Sequence, residues 1–384
     1  MKVLFIAVSN NPFVATQGSS QRSNLLLNAL TKIADVDVIS FCSSNEQSKD
    51  YTIIHQEEWK NPKREGRLGK FRRLLTPWNI ESVFNVDEHK KYIIEKALQK
   101  KNYDYIVIRY IPAALECGLW KYANKLVVDI DDNPVERAKA DADAAKSIRN
   151  RIYLRLLSRA MNIVVNKVIR QAKVTFVSNP EDAIGKSAIL LPNVPYYTPK
   201  YSLDEEKEVK GRILFVGDLG YWVNQEGLSR FLQNVYPKVK NAIPYVELHI
   251  VGRIWDDAIK AEWEKYEGVT VTGFVPDILA EYQEAQVSII PIYHGAGTCI
   301  KVLETMQMKK VCVTTPTGFR GYNMLFESGI DSIVANSDDD FASHLIELIN
   351  NPKLRREIAS NAYIKQQKYY TIEIFNNTLS SSLQ

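Results

Sequence analysis

The stretch Pro291-Ile292-Tyr293-His294-Gly295-Ala296-Gly297-Thr298-Cys299-Ile300-Lys301-Val302-Leu303-Glu304 carries the strongest structural signal in the chain. An apolar run ends at residue 292, a glycine-rich loop follows, and a helix is predicted to begin near Thr298. Glycine lets the backbone approach a ligand closely, and a helix start presents free N–H groups with a partial positive charge. The pattern therefore predicts an α/β domain with an anion site suited to a diphosphate.

Three side chains near this predicted helix start have the chemistry that such a ligand needs. Thr298 can add a hydroxyl donor and Lys301, one turn in, a cation. Glu304, two turns in, can accept hydrogen bonds from two neighbouring hydroxyls of a ribose. A lone Gly-x-Gly is a weak pattern, so a plain glycine turn before a helix with surface charges remains the alternative interpretation.

Short apolar runs alternate with segments of helical periodicity along the whole chain. The predicted strands lie at 2–8, 37–41, 105–108, 125–129, 174–177, 188–191, 213–216, 246–251, 269–272, 287–292 and 311–315. Strands separated by helices indicate βαβ units, parallel sheets and ligand binding at the carboxyl ends of the strands. The fold class predicted from this pattern is α/β.

The chain has 384 residues, of which 45% are hydrophobic and 24% charged, so it can bury two ordinary cores. A polar stretch with a proline, residues 197–211, is typical of a domain boundary. We therefore predict a first domain at 1–198 and a second at 205–368. A last helix, at about 369–384, is predicted to pack back on the first domain.

The charge distribution is uneven. Residues 1–200 carry 31 Lys and Arg against 21 Asp and Glu, whereas residues 201–384 carry 18 against 24. A basic first half indicates an anionic ligand or surface there. No segment reaches the roughly 18 uninterrupted apolar residues of a membrane span. The apolar N-terminal run is short for a signal peptide, and the four cysteines lack metal spacing. We therefore expect a cytoplasmic protein, with a peripheral position on the inner face of the membrane as an option.

A family resemblance covers roughly 150 residues of the second half. The glycine-loop stretch, continued through residue 321, resembles the family 4 retaining glycosyltransferases, the glycosyl transferases group 1. The upstream segments Phe215–Asn224, Ile250–Arg253 and Val271–Val275 are similar to the family's earlier strand ends. The first domain matches only loosely, through residues 18–22. The resemblance implies a GT-B fold, with two Rossmann-like domains facing each other across a cleft.

The resemblance also implies roles for individual residues. Phe274 and Val275 would contact the base, with Arg253 nearby, and Glu304 would hold the ribose. Gly297, Thr298 and Lys301 would hold the diphosphate, and Gly295 and Ala296 would face the donor sugar. The full donor-binding set is Gly18, Gly217, Asn224, Arg253, Phe274, Val275, His294, Gly295, Ala296, Gly297, Thr298, Lys301 and Glu304. Lys301 and Glu304, together with Asp131 of the first domain, are also predicted to serve catalysis.

The chain departs from the family's pattern at two of these positions. Ala296 stands where many members have a second Glu. Asn224 stands in a region where many members have an Arg and a Lys. A subset of the family shows the same departures, so we interpret Ala296 as a variant of sugar recognition.

In the first domain, polar residues follow two predicted strands. Arg109 and Tyr110 follow one, and Asp131 and Asp132 follow the other. Together with Arg22 they are predicted to face the acceptor, with Asp131 or Asp132 orienting the acceptor hydroxyl or the donor sugar. The alternative is that the two aspartates and Asn133 cap a helix that begins near Pro134.

The sequence thus predicts a retaining transfer from a nucleotide-diphosphate sugar to a glycan, a lipid-linked molecule or another acceptor, without a metal or cofactor. One alternative is a GT-B scaffold that binds nucleotide or a partner without turnover. Another is a metal-dependent transferase of the single-domain GT-A kind, in which Asp129 and Asp131 hold Mn²⁺ or Mg²⁺.

The stretch Lys60–Trp78 contains seven cations within 14 positions, opposed only by Glu65. Apolar residues are interleaved with the cations: Leu68, Phe71, Leu74, Leu75 and Trp78. The stretch is either a solvated surface or a patch for anionic lipid head groups or a lipid-diphosphate acceptor. No motif supports nucleic-acid binding, so none is predicted.

Overall fold

The computed structural model describes residues 1–15, 18–42, 48–58, 72–183, 185, 187–196 and 207–384, with Ser19 and Ser82 described by backbone alone. The chain divides into two compact units. The first domain is Met1–Asn193 together with Ile372–Gln384, and the second is Val194–Thr371.

The first domain is built on seven parallel strands in the order β3-β2-β1-β4-β5-β6-β7. The strands are β1 Lys2–Ala7, β2 Asp35–Ser40, β3 Thr52–Gln56, β4 Tyr105–Arg109, β5 Leu126–Ile130, β6 Val174–Val177 and β7 Ile189–Leu190. The α-helices are Gly18–Thr31, Ile80–Val83, Glu88–Lys100, Ile111–Glu116, Pro134–Ala144, Ile148–Gln171, Pro180–Ala183 and Ile372–Leu383, and Leu119–Tyr122 forms a 3₁₀ turn.

Helices cover this sheet because its central strands are apolar on both faces. All five residues of β5 are buried. The helix Ile148–Gln171 packs one face into the core through Val164, Val165 and Val168. The helix Ile372–Leu383 contacts Gly18–Thr31, so the end of the chain belongs to the first domain.

The second domain is built on six parallel strands in the order β10-β9-β8-β11-β12-β13. The strands are β8 Arg212–Val216, β9 Glu247–Val251, β10 Val269–Gly273, β11 Val287–Ile290, β12 Val311–Thr314 and β13 Ile333–Val334. The helices are Trp222–Asn234, Tyr236–Ala242, Asp257–Trp263, Ile278–Glu284, Ile300–Gln307, Asp338–Asn350 and Pro352–Tyr369.

Both sheets reverse their strand order once, between β1 and β4 in the first domain and between β8 and β11 in the second. This confirms the predicted class of two Rossmann-like α/β domains. In such sheets, ligands bind outside the carboxyl ends of the strands at the reversal point. Among the described residues, no helix is both long and apolar enough to cross a membrane.

Candidate functional site

The reversal point of the second domain is lined by backbone. Gly217 follows β8 and Gly252 follows β9. A Cβ on Gly252 would lie 1.6 Å from the Gly217 carbonyl oxygen, and φ of Gly252 is +151°. A Cβ on Gly217 would lie 2.6 Å from Cε of Lys301. Gly252 therefore requires glycine because a side chain there would collide with backbone, whereas a side chain at Gly217 would displace the end of the Lys301 side chain.

Lys301 is held in place from two sides. Its Nζ donates a hydrogen bond to Oδ1 of Asn224 at 3.0 Å and lies 5.5 Å from the centre of the Phe215 ring. Asn224, which is buried, donates from Nδ2 to the carbonyl oxygen of Asp218 at 2.6 Å. The Asn224 that departs from the family pattern therefore positions the cation, which lies against the backbone of the strand-end loop.

The glycine-rich loop leads into the helix Ile300–Gln307, which begins two residues later than predicted because Cys299 occupies the N-cap. The Cys299 side chain makes no capping hydrogen bond. Arg320 donates to the carbonyl oxygen of Ala296 at 2.6 Å and so fixes the loop before the helix. A Cβ built on Gly295 meets nothing within 4 Å, so the loop borders open space there.

Glu304 lies on the same helix, in its second turn, and is partly buried. Burial raises the pKa of Glu304 above its usual range, and the nearby charge of Lys301 counteracts this only in part. Among the residues that the structure describes, none forms a hydrogen bond or ion pair with its carboxylate. Glu304 is therefore a desolvated acceptor that is available to a ligand.

The other predicted donor residues also lie at the carboxyl edge of this sheet. Arg253 follows β9 and stacks on Trp255 at 5.6 Å, while Phe274 follows β10 and is 67% exposed. Val275 packs against the small core cluster around Tyr282 and Met308. On the loop after β11, Nε2 of His294 lies 3.6 Å from Oε1 of Glu226 and its ring 5.9 Å from that of Trp222.

The first domain has a network of buried charges at its own reversal point. Asp129, at the end of β5, is fully buried between two guanidinium groups. Arg22 donates to its two oxygens at 2.6 and 2.8 Å, and Arg109 donates to Oδ2 at 3.0 Å. Burial alone would raise the pKa of Asp129, but the two arginines outweigh that effect and hold the pKa below its usual range. Asp129 thus favours its charged form, and its carboxylate fixes both arginines.

Asp131 extends this network. Its Oδ2 accepts from Arg109 at 2.7 Å and its Oδ1 from Asn193 at 3.1 Å. The structure does not favour the GT-A alternative, because the chain has two Rossmann-like sheets and because guanidinium groups already engage the Asp129 and Asp131 carboxylates.

Asp132 differs from its neighbour. Its Oδ2 accepts from Arg137 at 2.9 Å, whereas its Oδ1 has no hydrogen-bond partner in the described structure. Burial raises the pKa of Asp132, and the nearby Asp131 raises it further. The helix after β5 is capped by Asn133, which accepts from the N–H of Val135 at 3.0 Å. The capping alternative is therefore wrong for Asp131 and Asp132 and right for Asn133.

Tyr110 has a strained backbone at the end of β4, with φ +70°. Its hydroxyl accepts from Asn10 at 3.2 Å and from Arg109 at 3.1 Å, and burial raises its pKa to about 12. Such a conformation costs about 1–3 kcal/mol and is found mostly at functional sites. The surrounding hydrogen bonds hold the phenol beside the charged network.

Two further predictions lie at the margin of the described structure. Gly18 is exposed at the start of the helix Gly18–Thr31, directly after the undescribed residues 16–17. Of the stretch Lys60–Trp78, residues 60–71 lie outside the described residues. Beyond them, Leu74 packs against the core, whereas Leu75 and Trp78 are 66% and 62% exposed.

Sequence reasoning missed several residues of these sites. Asn193 bridges Arg22 and Asp131, and Ser23 accepts from Arg109 at 2.7 Å. Asn193 follows β7, so the rule that polar residues follow strand ends could have found it. Arg320 lies 24 positions from the carbonyl that it contacts, and no local pattern indicates that pairing.

Comparisons with known proteins concern the family and the fold of the chain. Residues 210–351 match the family model described as glycosyl transferases group 1. A relative from Klebsiella pneumoniae, described as an uncharacterized 44.6 kDa protein in the cps region, is 27% identical over 98% of this chain and 99% of its own length.

Solved structures match the whole fold. Sucrose-phosphate synthase from Thermosynechococcus elongatus has a TM-score of 0.71 at 12% identity, covering 99% of this chain and 98% of that one. Anabaena HepE in complex with UDP-glucose has a TM-score of 0.66 at 15% identity, covering 100% and 99%.

With its two Rossmann-like domains, the chain has the GT-B fold of these solved structures. Residues 210–351, which lie in the second domain, are thus similar to the glycosyl transferases group 1.

Proposed function

We propose that this protein transfers a sugar, with retention of anomeric configuration, from a nucleotide-diphosphate donor bound by the second domain to an acceptor bound by the first. The observation that carries the proposal is Lys301, held by Asn224 against Gly217 at the reversal point. Glu304 lies three residues further along the same helix, and no described residue pairs with its carboxylate. One helix thus supplies a cation for the diphosphate and an acceptor for the ribose.

The donor in this proposal is a uridine-diphosphate sugar. The support is the similar fold of Anabaena HepE, whose structure contains UDP-glucose. The exposed Phe274 and the backbone beside Val275 would contact the base, and Arg253 would lie nearby. The loop at Gly295 and Ala296 would face the sugar, where the missing second Glu changes the choice of sugar.

Catalysis in this proposal rests on charge and position. Negative charge develops on the departing diphosphate, where Lys301 and the first N–H groups of the helix Ile300–Gln307 can stabilise it. Asp131 is held by Arg109 and Asn193, so it would organise the acceptor side. Asp132 has a raised pKa and an oxygen without a described partner, which suits it to accept a hydrogen bond from the acceptor hydroxyl. No metal is required, because Lys301 and the N–H groups at the helix start supply the positive charge.

The acceptor in this proposal is a growing glycan or a lipid-linked saccharide, and the setting is polysaccharide biosynthesis. Support comes from the relative described by its place in a cps region and from the basic first half of the chain.

The test is turnover of the full chain with UDP-, GDP-, ADP- and TDP-sugars and a panel of saccharide and lipid-linked acceptors. Proton NMR of the product should show the donor's anomeric configuration, and the rate should persist in excess EDTA. Inversion would refute retention, and loss on chelation with rescue by Mn²⁺ would refute metal independence. Nucleotide binding in calorimetry without turnover on any pair would favour a scaffold that binds without catalysis.

A further inference from the structure

One face of the helix Ile148–Gln171 exposes large aliphatic side chains. Ile148, Ile152, Leu156 and Ile163 are 72%, 56%, 45% and 44% exposed. The spacing of 4, 4 and 7 residues places them on one face of the helix. The opposite face packs into the core, so the exposed face is not needed to fold the domain.

The same helix is strongly basic. Its 24 residues include five arginines and one lysine and no acidic residue. Arg149, Arg155 and Arg159 are exposed, and Arg159 lies on the aliphatic face itself. The nearest acidic partner of Arg155 is Asp143 at 3.9 Å, a pair exposed on both sides and therefore weak. We call these four aliphatic residues and three arginines the exposed strip.

A second segment with exposed apolar side chains contacts the same helix. Nζ of Lys167 donates to the carbonyl oxygen of Trp78 at 3.1 Å. Trp78 and Leu75 are both more than half exposed. An indole next to exposed aliphatic residues and cations is typical of surfaces that enter the boundary between lipid head groups and acyl chains.

We propose that the exposed strip binds the surface of an anionic lipid bilayer. The aliphatic residues and Trp78 enter the head-group layer, and the arginines contact the lipid phosphates. The charge of the helix Ile148–Gln171 favours an anionic bilayer as the partner, because its charged residues are all cations. A second copy of the chain would bring the arginines of both copies together, which electrostatic repulsion disfavours. This inference goes beyond the proposed transfer reaction and does not depend on it.

The experiment is vesicle flotation of the full chain at low salt. The vesicles are phosphatidylcholine alone, or phosphatidylcholine with about one third phosphatidylglycerol, whose negative surface attracts basic segments. One variant removes apolar groups: Ile152→Ser, Leu156→Ser and Ile163→Ser. A second removes charge: Arg149→Gln, Arg155→Gln and Arg159→Gln. The matched controls are Ile364→Ser, at an isoleucine 62% exposed in the second domain, and Lys353→Gln, at an exposed lysine.

The wild type should float with the anionic vesicles and not with the neutral ones. Its binding should weaken in 1 M salt, where screening shortens to about 3 Å. Both strip variants should bind at least about tenfold more weakly, and both controls should bind like the wild type. Circular dichroism checks that each variant is folded, and nucleotide affinity should be unchanged in all of them. Brominated lipid should quench tryptophan emission less in Trp78→Phe than in the wild type.

Three results would overturn the proposal. The first is flotation of the strip variants at the wild-type level, and the second is no flotation of the wild type with anionic vesicles. The third is a lipid-free dimer in light scattering that the apolar variant converts to a monomer, because a second copy would then cover the exposed strip.

Discussion

The reversal points of the two sheets differ in how their charged side chains are arranged. In the second domain, a single helix carries Lys301 and Glu304, and glycine backbone surrounds the lysine. In the first domain, Arg22 and Arg109 share the carboxylate of Asp129, and these residues come from positions as far as 107 residues apart. Among the described residues, the Glu304 carboxylate of the second domain has no hydrogen-bond partner, whereas both oxygens of Asp129 in the first domain accept hydrogen bonds.

The two sites therefore differ in whether a buried carboxylate still lacks a hydrogen-bond partner. A buried polar group without a hydrogen-bond partner lowers the stability of the folded protein, and a ligand that supplies the partner removes this cost. A group that is fully paired contributes to the folded state and has little left to offer a ligand. Asp129 therefore serves the structure, and the unpaired Glu304 is the carboxylate that we propose binds the ligand.

The two carboxylates should also respond to pH in opposite ways. The pKa of Asp129 is lowered on folding. Its contribution to the free energy of unfolding is therefore present above its unfolded pKa and is lost as pH falls through its folded pKa. The pKa of Glu304 is raised on folding, so the folded state binds the proton more tightly, and ionising Glu304 as pH rises destabilises the protein.

The largest effect is expected for Asp129→Asn. The substitution leaves Arg22 and Arg109 buried without their shared counter-charge, so the free energy of unfolding should fall by about 3–5 kcal/mol. Urea denaturation measures the loss, which should shrink as pH falls through the folded pKa of Asp129. Asp132→Asn is the control and should change stability by less than about 1 kcal/mol, because its partner Arg137 is 62% exposed. A stable Asp129→Asn protein would contradict a structural role for the network.

The second-largest effect is expected for Glu304→Gln. Donor-nucleotide affinity should fall about tenfold or more, because a charge-assisted hydrogen bond is worth about 1.5–3 kcal/mol. At neutral pH the unliganded variant should melt higher than the wild type, and that gain should vanish at acid pH as the wild-type Glu304 takes up a proton. Calorimetry and thermal shift measure the two quantities. Glu357→Gln, at an exposed site of the second domain, should change neither. Unchanged nucleotide affinity would remove Glu304 from the site.

The smallest effect is expected for Lys301→Met. Affinity for a nucleoside diphosphate should fall about tenfold through the loss of one cation, while affinity for the bare nucleoside should stay the same. Lys309→Met removes the same charge at an exposed position just past the C-terminal end of the helix Ile300–Gln307, and it should leave both affinities intact. An equal loss for nucleoside and diphosphate would mean that Lys301 supports the fold of the loop and not the phosphates.

Most of the fold could be predicted from the sequence, because buried parallel strands appear as continuous apolar runs. The edge strands β3 and β13 are the exceptions. Thr52–Gln56 has only two apolar residues and no fully buried one, and Ile333–Val334 has two residues, so neither gives a clear apolar run. The start of the helix Ile300–Gln307 is predicted two residues early, because Thr298 is a better N-cap than Cys299 by propensity.

The sequence by itself determined the residues at the second reversal point, because a glycine loop, a helix start and the side chains of one helix lie within 14 consecutive positions. Only the tertiary structure decided which charges are paired. Asp131 and Asp132 are adjacent and chemically identical, yet the first is held by Arg109 and Asn193, and the second keeps an oxygen without a described partner. Tertiary structure also decided which face of Ile148–Gln171 stays exposed. The physical reason is that pairing and burial depend on residues brought together from distant positions, which no local pattern records.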